Sequence, residues 1–479
     1  MSKDQQLRMQ AKQEEEKNKS IVEQDPYRLQ YHIMPPVGLL NDPNGFIEWG
    51  GKYHLFYQWM PFKTDHGAKF WGHYSSVDLV NWTHEEIALT PSEEYEKNGC
   101  YSGSAIEHEG NLFAFYTGNV KDDQGNRETY QCLAVSEDGI HFEKRGPVVK
   151  LPDGYTPHFR DPKVWKDGDK YLMVVGAQTE DLKGAVALLE SDNLLEWNHK
   201  GILAGGGSGK LSDFGYMFEC PDLFSLDGSD VLVFSPQGLE PQGIHYQNVY
   251  QAGYVTGTFH SESGTYDHGD FEELDRGFDF YAPQTTLDSK GRRLMFAWMS
   301  VPDQDEQEHP TIKHKWLHNM TIPRELKMID SKVYQLPVEE LKLLRTGDAS
   351  VQQVKLTEKD VKISGVSGKS VELLLENVET EGWFDICFGG AARLVYSPEQ
   401  KLLTLERESY VSGITENRQC KVDNLSSLHV YLDTSSVEIF VNGGEHTFTA
   451  RFYPHPDNDT IYFGAETSAE FRLLKWNLA

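Results

Sequence analysis

Three acidic residues stand at or just before X-Pro turns, far apart in the chain: Asp42 in Asn41-Asp42-Pro43-Asn44-Gly45, Asp161 in Phe159-Arg160-Asp161-Pro162, and Glu219 in Phe218-Glu219-Cys220-Pro221. Carboxyl groups converging on one pocket are what cleavage of a glycosidic bond demands. One protonates the departing oxygen, and another attacks carbon or activates water. Each also has a plain reading. Asn-Asp-Pro-Asn-Gly is turn vocabulary, Arg160-Asp161 would serve as a local ion pair, and Glu219 before Cys-Pro suits an edge strand. Against three unrelated turns stands their spacing. The acids fall at one phase of a repeat, near the start of the innermost strand of each unit, where other units carry Ser104 or Ala282.

The repeat itself has two series. Ser76-Val77-Asp78-Leu79-Val80-Asn81-Trp82, Ser136-Glu137-Asp138-Gly139-Ile140-His141-Phe142 and Ser191-Asp192-Asn193-Leu194-Leu195-Glu196-Trp197 share one frame, at intervals of about 60 residues. Out of phase with it, Asp42-Pro43, Asp161-Pro162, Cys220-Pro221 and Ala282-Pro283 recur, with Gly103-Ser104-Ala105 filling the double gap. After each comes a Gly- or Asp-rich turn and a short apolar strand: His54 to Gln58, Leu112 to Thr117, Tyr171 to Ala177, Val231 to Pro236 and Leu294 to Met299. Roughly five units of about 60 residues, each with room for four strands, predict a five-bladed β-propeller over residues 30–336, with a β-sandwich of coincidental spacing as the alternative. In a propeller, residues distant in sequence meet at the axis.

The flanks differ. Residues 1–29 begin with a polar Lys/Glu/Gln-rich stretch that reads as a helical extension rather than a signal peptide. Residues 337–350 are charged and read as a linker. Residues 351–479 hold alternating segments (Val371 to Val378, Trp383 to Phe388, Leu402 to Glu408, Leu428 to Leu432, Val437 to Val441, Phe448 to Tyr453, Ile461 to Gly464) and predict a C-terminal β-sandwich. The fold class is therefore all-β, a propeller followed by a sandwich.

Composition narrows the partners. The 479 residues are 38% hydrophobic and 25% charged, the balance of a globular chain. A net charge of −29 opposes nucleic acid and anionic membrane as partners. Cys100, Cys132, Cys220, Cys387 and Cys420 show no paired spacing, which suits free thiols in a reducing compartment. A cytoplasmic location is the expectation, as a monomer or a homodimer.

The motifs taken together resemble glycoside hydrolase family 32, the invertases, inulinases and levanases. Leu40-Asn41-Asp42-Pro43-Asn44-Gly45, Phe56-Tyr57-Gln58, Phe70-Trp71-Gly72-His73, Tyr101-Ser102-Gly103-Ser104, Phe159-Arg160-Asp161-Pro162 and Glu219-Cys220-Pro221 carry that resemblance, and Leu428 to Asn442 extends it into the sandwich. The segments Met34 to Leu40, Gly125 to Leu133, Asp213 to Met217 and Gly277 to Gln284 are most similar to the bacterial branch that acts on sucrose 6-phosphate. Leu39-Leu40 departs from the Trp-Met that many members carry there. The resemblance implies retaining hydrolysis of a β-fructofuranoside through a covalent fructosyl-enzyme, with Asp42 as nucleophile, Glu219 as general acid/base and Asp161 as transition-state stabiliser. It implies no metal and no organic cofactor. It places Leu39, Leu40, Asn41, Gln58, Phe70, Trp71, Tyr101, Ser102, Arg160 and Trp298 against the sugar.

Sucrose 6-phosphate, the substrate that branch implies, requires a basic pocket on the glucose side. His66 and Lys69, near Trp71, and Lys313 and Lys315, after an acidic loop, are the candidates, each weighed against an ordinary solvated charge. A general invertase or fructan hydrolase shares every motif. A non-catalytic sugar-binding propeller is the alternative of another class, and the presence of all three carboxylates counts against it.

Overall fold

The computed structural model describes residues 1–479. Five antiparallel sheets follow one another along the chain. Blade I comprises Gly38–Trp49, Lys52–Met60, Phe70–Ser76 and Trp82–His84, with Trp316–Leu317 pairing in parallel beside Gly38 and Leu39. Blade II runs from Cys100–His108 to Glu143–Lys150, blade III from Tyr155–Asp167 to Asn198–Gly205, and blade IV from Met217–Leu226 through Thr265–His268. Blade V is built from Tyr281–Leu287, Arg293–Trp298, Arg324–Ile329 and Lys332–Pro337. The inner strands Gly38–Trp49, Cys100–His108, Tyr155–Asp167, Met217–Leu226 and Tyr281–Leu287 touch in sequence, and the last packs back on the first. That closes a five-bladed propeller and brings all five inner strands to one axis.

The Ser-x-Asp/Asn frame is the turn that ends the third strand of blades I to III. Asp78 Oδ1 accepts from the Val80 and Asn81 backbone N–H groups at 3.0 and 2.7 Å, and Trp82 Nε1 donates to the Leu79 carbonyl at 2.9 Å. Asn193 and Trp197 make the same bonds one blade pair later. The fourth residue of the frame (Leu79, Gly139 or Leu194) takes positive φ in each case, so the side-chain cap holds a left-handed turn residue in place.

The X-Pro series is a set of bulges. Every inner strand slips register by one residue, between Leu40 and Pro43, Cys100 and Gly103, Arg160 and Lys163, Glu219 and Asp222, and Tyr281 and Gln284. Proline lacks an N–H, so Pro162, Pro221 and Pro283 sit inside the bulge, where no ladder bond is lost. Asp161, Cys220 and Ala282 precede them at φ of 70°, 48° and 49°. Left-handed backbone in residues with a Cβ costs about 1–2 kcal/mol each, and it is spent around the axis.

Aligned on the ladders, Leu40, Cys100, Arg160, Glu219 and Tyr281 are equivalent. Asn41, Tyr101, Asp161, Cys220 and Ala282 come next, followed by Asp42, Ser102 and the three bulge prolines. The three acids thus occupy three consecutive positions, not the single phase that the sequence repeat suggests. Alignment on proline hides this, because Pro43 lies past its bulge whereas Pro162 and Pro221 lie within theirs.

Beyond blade V, a 3-10 helix Glu339–Leu344 leads directly into a strand, Arg345–Leu356, which starts inside the stretch expected to be linker. That strand joins a six-stranded sheet facing a five-stranded one, and their inner faces form a core of 33 buried residues. All seven expected C-terminal strands are present. Four more, Arg345–Leu356, Ala392–Ser397, Thr415–Lys421 and Ser468–Leu478, lacked a clean alternation in the sequence.

Charged side chains fill the contact between sandwich and propeller. Arg324 of blade V, fully buried, donates to Glu438 Oε2 and Thr449 Oγ1 at 2.6 Å. His32 lies between Asp433 at 2.8 Å and Glu438 at 3.0 Å. Buried charge is costly unless every partner is in place, so this contact has one registry. The helix Lys3–Glu23, capped by Ser2 and Gln5, packs on blade I through Arg8 and Asp4, which reach Ile87 and Thr90. No helix is long and apolar enough to cross a membrane.

Candidate active site

At the axis the inner strands open into a cavity of roughly 470 Å³, which is within the size range of small-molecule sites, about 300–1,000 Å³. Asp42, Asp161 and Glu219 all line it, with Asn41, Gln58, Tyr101, Ser102, Arg160 and Trp298 among the expected sugar contacts. The ladder offset gives each acid a different neighbourhood.

Asp42 is held by three donors. Ser102 Oγ donates to Oδ2 at 2.6 Å, Asn41 Nδ2 to Oδ1 at 3.1 Å, and the Cys220 thiol approaches Oδ2 at 3.5 Å. Burial raises its carboxyl above the ordinary value, and the Glu219 charge adds to this. The Ser102 and Asn41 bonds and Lys69 pull the other way. Lys69 Nζ donates to Asn41 Oδ1 at 2.6 Å, which fixes that amide with its N–H toward Asp42. Burial brings the Lys69 ammonium down to about 7 despite the Glu306 and Asp42 charges.

Asp161 takes the Cys220 backbone N–H on Oδ2 at 3.0 Å, while its own N–H is anchored by Thr117 Oγ1 at 3.0 Å. Burial pushes its carboxyl up to about 7. Arg160 opposes this, and the charges of Glu219 and Asp42 reinforce it. Cys220 sits between the two aspartates, 3.6 Å from Asp161 Oδ2. Burial and three negative neighbours keep it a thiol, so it acts as a weak donor to both.

Glu219 meets four N–H or O–H donors. Arg160 supplies two to Oε1, at 2.6 and 2.9 Å, while Gln237 Nε2 at 2.9 Å and the Tyr281 hydroxyl at 2.6 Å hold Oε2. Burial and the neighbouring negative charge of Glu219 keep Tyr281 protonated. Sequence reasoning missed both Gln237 and Tyr281. Tyr281 stands at the ladder position of Glu219 one blade on, so a register-exact repeat alignment would have found it. Gln237 ends the second strand of blade IV, pairs with Met217, and carries no motif of its own.

Several expected contacts are placed elsewhere. Leu39, Leu40, Phe70 and Trp71 are all fully buried and do not line the cavity. Leu39 packs with Met60 and Leu317, Leu40 and Phe70 join the core around Trp59, and Trp71 packs beside Phe56. Trp71 acts indirectly, with Nε1 donating to the Tyr101 carbonyl at 3.0 Å. Trp298 does line the cavity, edge-on to Tyr281, and its buried Nε1 has no protein acceptor.

Of the basic candidates, His66 and Lys69 line the cavity, but both are committed: His66 to Glu306 at 3.0 Å, and Lys69 to Asn41. Lys313 and Lys315 do not reach it. They belong to the turn of Pro310–His314, and Lys315 lines a separate crevice beside Glu14 and Lys17 of the N-terminal helix. Lys313 and Lys315 are phosphate candidates in the sequence, but the 3-10 turn takes them away from the axis. Lys121 and Arg127 line the cavity instead.

The arrangement can hold a sugar among three carboxylates and protonate or attack at one centre. The family model described as glycosyl hydrolases family 32 N-terminal domain matches residues 32–337, and the family 32 C-terminal model matches residues 340–477. A sucrose-6-phosphate hydrolase of Bacillus subtilis (strain 168) is 52% identical, with 99% of each chain covered. One of Salmonella typhimurium is 44% identical, covering 93% of this chain and 92% of its own. Among solved structures, a sucrose-6-phosphate hydrolase from Lactobacillus gasseri superposes with a TM-score of 0.87 at 32% identity, covering 98% of this chain and 96% of its own. A mutant GH32 β-fructofuranosidase of Bombyx mori, solved in complex with sucrose, superposes at 0.86 with 31% identity over 99% and 98% of the two chains.

Proposed function

The chain belongs to glycosyl hydrolase family 32, and from that premise we propose that it hydrolyses the β-fructofuranosidic bond of sucrose 6-phosphate with retention, releasing fructose and glucose 6-phosphate. The observation that carries the mechanism is the distinct environment of each of three convergent carboxyl groups. The catalytic machinery lies in the propeller, and the sandwich braces blade V through Arg324 and Glu438.

Asp42 is the nucleophile. Its oxygens are aimed by Ser102 and Asn41, and Lys69 fixes the Asn41 amide. Attack forms the Asp42–fructosyl bond as the glycosidic carbon–oxygen bond breaks, and Glu219 gives its proton to the departing oxygen. In the second step water loses a proton to Glu219 and attacks the same carbon, freeing Asp42. Two inversions at one carbon give net retention.

Asp161 grips fructosyl hydroxyls. Burial and the charges of Glu219 and Asp42 raise its carboxyl, and Arg160 opposes them. Hydroxyl groups donating to Asp161 favour its ionised form. Arg160, Gln237 and Tyr281 hold Glu219 in place for both steps. A phosphorylated disaccharide is a product of phosphorylating sugar import, which puts the enzyme's work in the cytoplasm.

The test is kcat/KM for sucrose 6-phosphate and for sucrose. A preference of about tenfold or more for the phosphorylated sugar, about 1.4 kcal/mol in the transition state, supports the reading. Equal values would make the protein a general β-fructofuranosidase, and activity on neither would overturn the proposal.

A further inference from the structure

The hairpin that joins the second and third strands of blade II carries one cation on each side of its turn. Lys121 ends the strand Asn111–Lys121, Arg127 begins Arg127–Ser136, and the two are direct cross-strand partners. Like charges directly opposite in an antiparallel pair are destabilising. Here the repulsion is felt: Arg127 is the foremost influence drawing the Lys121 ammonium down, and no carboxylate offsets it. In a chain of net charge −29, two facing cations with no acidic partner stand out.

Of the two acids in the turn, Asp122 and Asp123, the first closes the hairpin. Asp122 Oδ1 accepts from the Gln124 and Asn126 backbone N–H groups at 2.9 and 2.8 Å, and Oδ2 accepts from Asn126 Nδ2 at 2.7 Å. Asp122 is therefore spent on closing the hairpin. The Lys121 backbone N–H is pinned in turn by Asn98 Oδ1 at 2.7 Å. The result is an ordered hairpin that presents two unneutralised donors, and both side chains line the catalytic cavity.

Both share the cavity with the acid/base Glu219. Glu219 delivers its proton to the departing oxygen, so the leaving sugar lies against the open side of Glu219. Arg127 lines the cavity together with Tyr101, Arg160 and Glu219, and burial draws its guanidinium down. His158 stands beside Arg160. Arg160 Nη1 donates to His158 Nδ1 at 2.9 Å, which leaves the imidazole proton on Nε2. Burial together with Arg160, Arg127 and Lys121 holds His158 at about 4, so it stays a neutral donor.

We infer that Lys121 and Arg127 form the subsite for the phosphate of the leaving sugar and set the preference for a phosphorylated over a free disaccharide. This rests on the proposed sucrose 6-phosphate reading. A phosphate monoester carries close to two negative charges at pH 7 and three acceptor oxygens. A guanidinium fork and a mobile ammonium across one hairpin match it by charge and by number of donors. Binding relieves the Lys121–Arg127 repulsion, so the stress in the empty hairpin is returned when the anion arrives. Lys69, buried and bonded to Asn41, and His66, bonded to Glu306, have no such freedom.

The experiment uses the full chain and compares wild type with Lys121→Met, Arg127→Met and the double variant. Each is assayed on sucrose 6-phosphate and on sucrose, with glucose 6-phosphate and fructose as product inhibitors. The ratio of the two kcat/KM values falls about tenfold in each single variant and about a hundredfold in the double. The loss resides mainly in KM. Inhibition by glucose 6-phosphate weakens in parallel, while inhibition by fructose persists and certifies a folded fructosyl pocket. An unchanged ratio in the double variant, with fructose inhibition intact, overturns the subsite and leaves the proposed reaction standing. A wild-type enzyme with no preference for the phosphorylated sugar overturns the reading on which the subsite rests.

Discussion

Arg160 reaches from blade III to Glu219 of blade IV with two N–H groups of one guanidinium, Nη2 at 2.6 Å and Nε at 2.9 Å, both on Oε1. The two residues hold equivalent ladder positions in adjacent blades, so the pair fixes the acid/base at the seam where the blades meet. Arg160→Lys keeps the charge and loses the fork. Steady-state kinetics of that variant are expected to show kcat lower by about a hundredfold with a small change in KM, since a misplaced catalytic group costs about that much. A kcat within twofold of wild type would contradict a positioning role for the fork.

Asp161 is the residue where stability and activity oppose each other. Its folded-state carboxyl is raised by burial from 3.8 to about 7. A raised group stabilises the fold below its unfolded value and loses that contribution as pH climbs through the folded one. Asp161→Asn removes the buried charge and keeps an oxygen for the Cys220 N–H. Its melting temperature is expected to exceed that of wild type by about a few degrees at pH 8, and the gap should close toward pH 4. Activity should fall by about a hundredfold or more. A variant less stable than wild type at pH 8 would show that Arg160 already offsets the cost of the charge.

His32 locks the sandwich to the propeller. Burial alone would lower its imidazole, but hydrogen bonds to Asp433 and Glu438 raise it from 6.5 to about 9. Its contribution is complete below pH 6.5 and fades as pH rises through 9. His32→Asn leaves buried Asp433 without a cationic partner, which costs about 3–5 kcal/mol, while Glu438 keeps Arg324. Chemical denaturation at pH 6 and at pH 9.5 is expected to give a large deficit at the first and a smaller one at the second. Equal deficits at both would mean that the imidazole is neutral throughout.

The blade repeat, the sandwich and the three acids are legible in the sequence because turn residues recur at fixed intervals and strands alternate. The offset among the acids is not. Proline lies at or beside four of the five bulges, blade II having Gly103 instead, yet Pro43 sits one ladder step beyond Pro162 and Pro221, and only backbone pairing shows it. Leu39, Leu40, Phe70 and Trp71 belong to motifs that border the sugar, but their strands are packed on both faces, so both members of each consecutive pair enter the core. Lys121 and Arg127 flank an ordinary hairpin turn and become notable only when their cross-strand pairing and lack of an acid partner are seen.

The central claim is that Asp42 becomes covalently attached to the fructosyl unit, and it can be observed directly. Glu219→Gln lacks the base for the second step, so intermediate formed from an activated β-fructofuranoside, whose leaving group needs no protonation, should accumulate. After acid quench, digestion and mass analysis, the account predicts one fructosyl unit on the peptide that carries Asp42, lost when azide is added before the quench. No adduct while azide still accelerates turnover, or an adduct mapped to the peptide of Asp161, would contradict it.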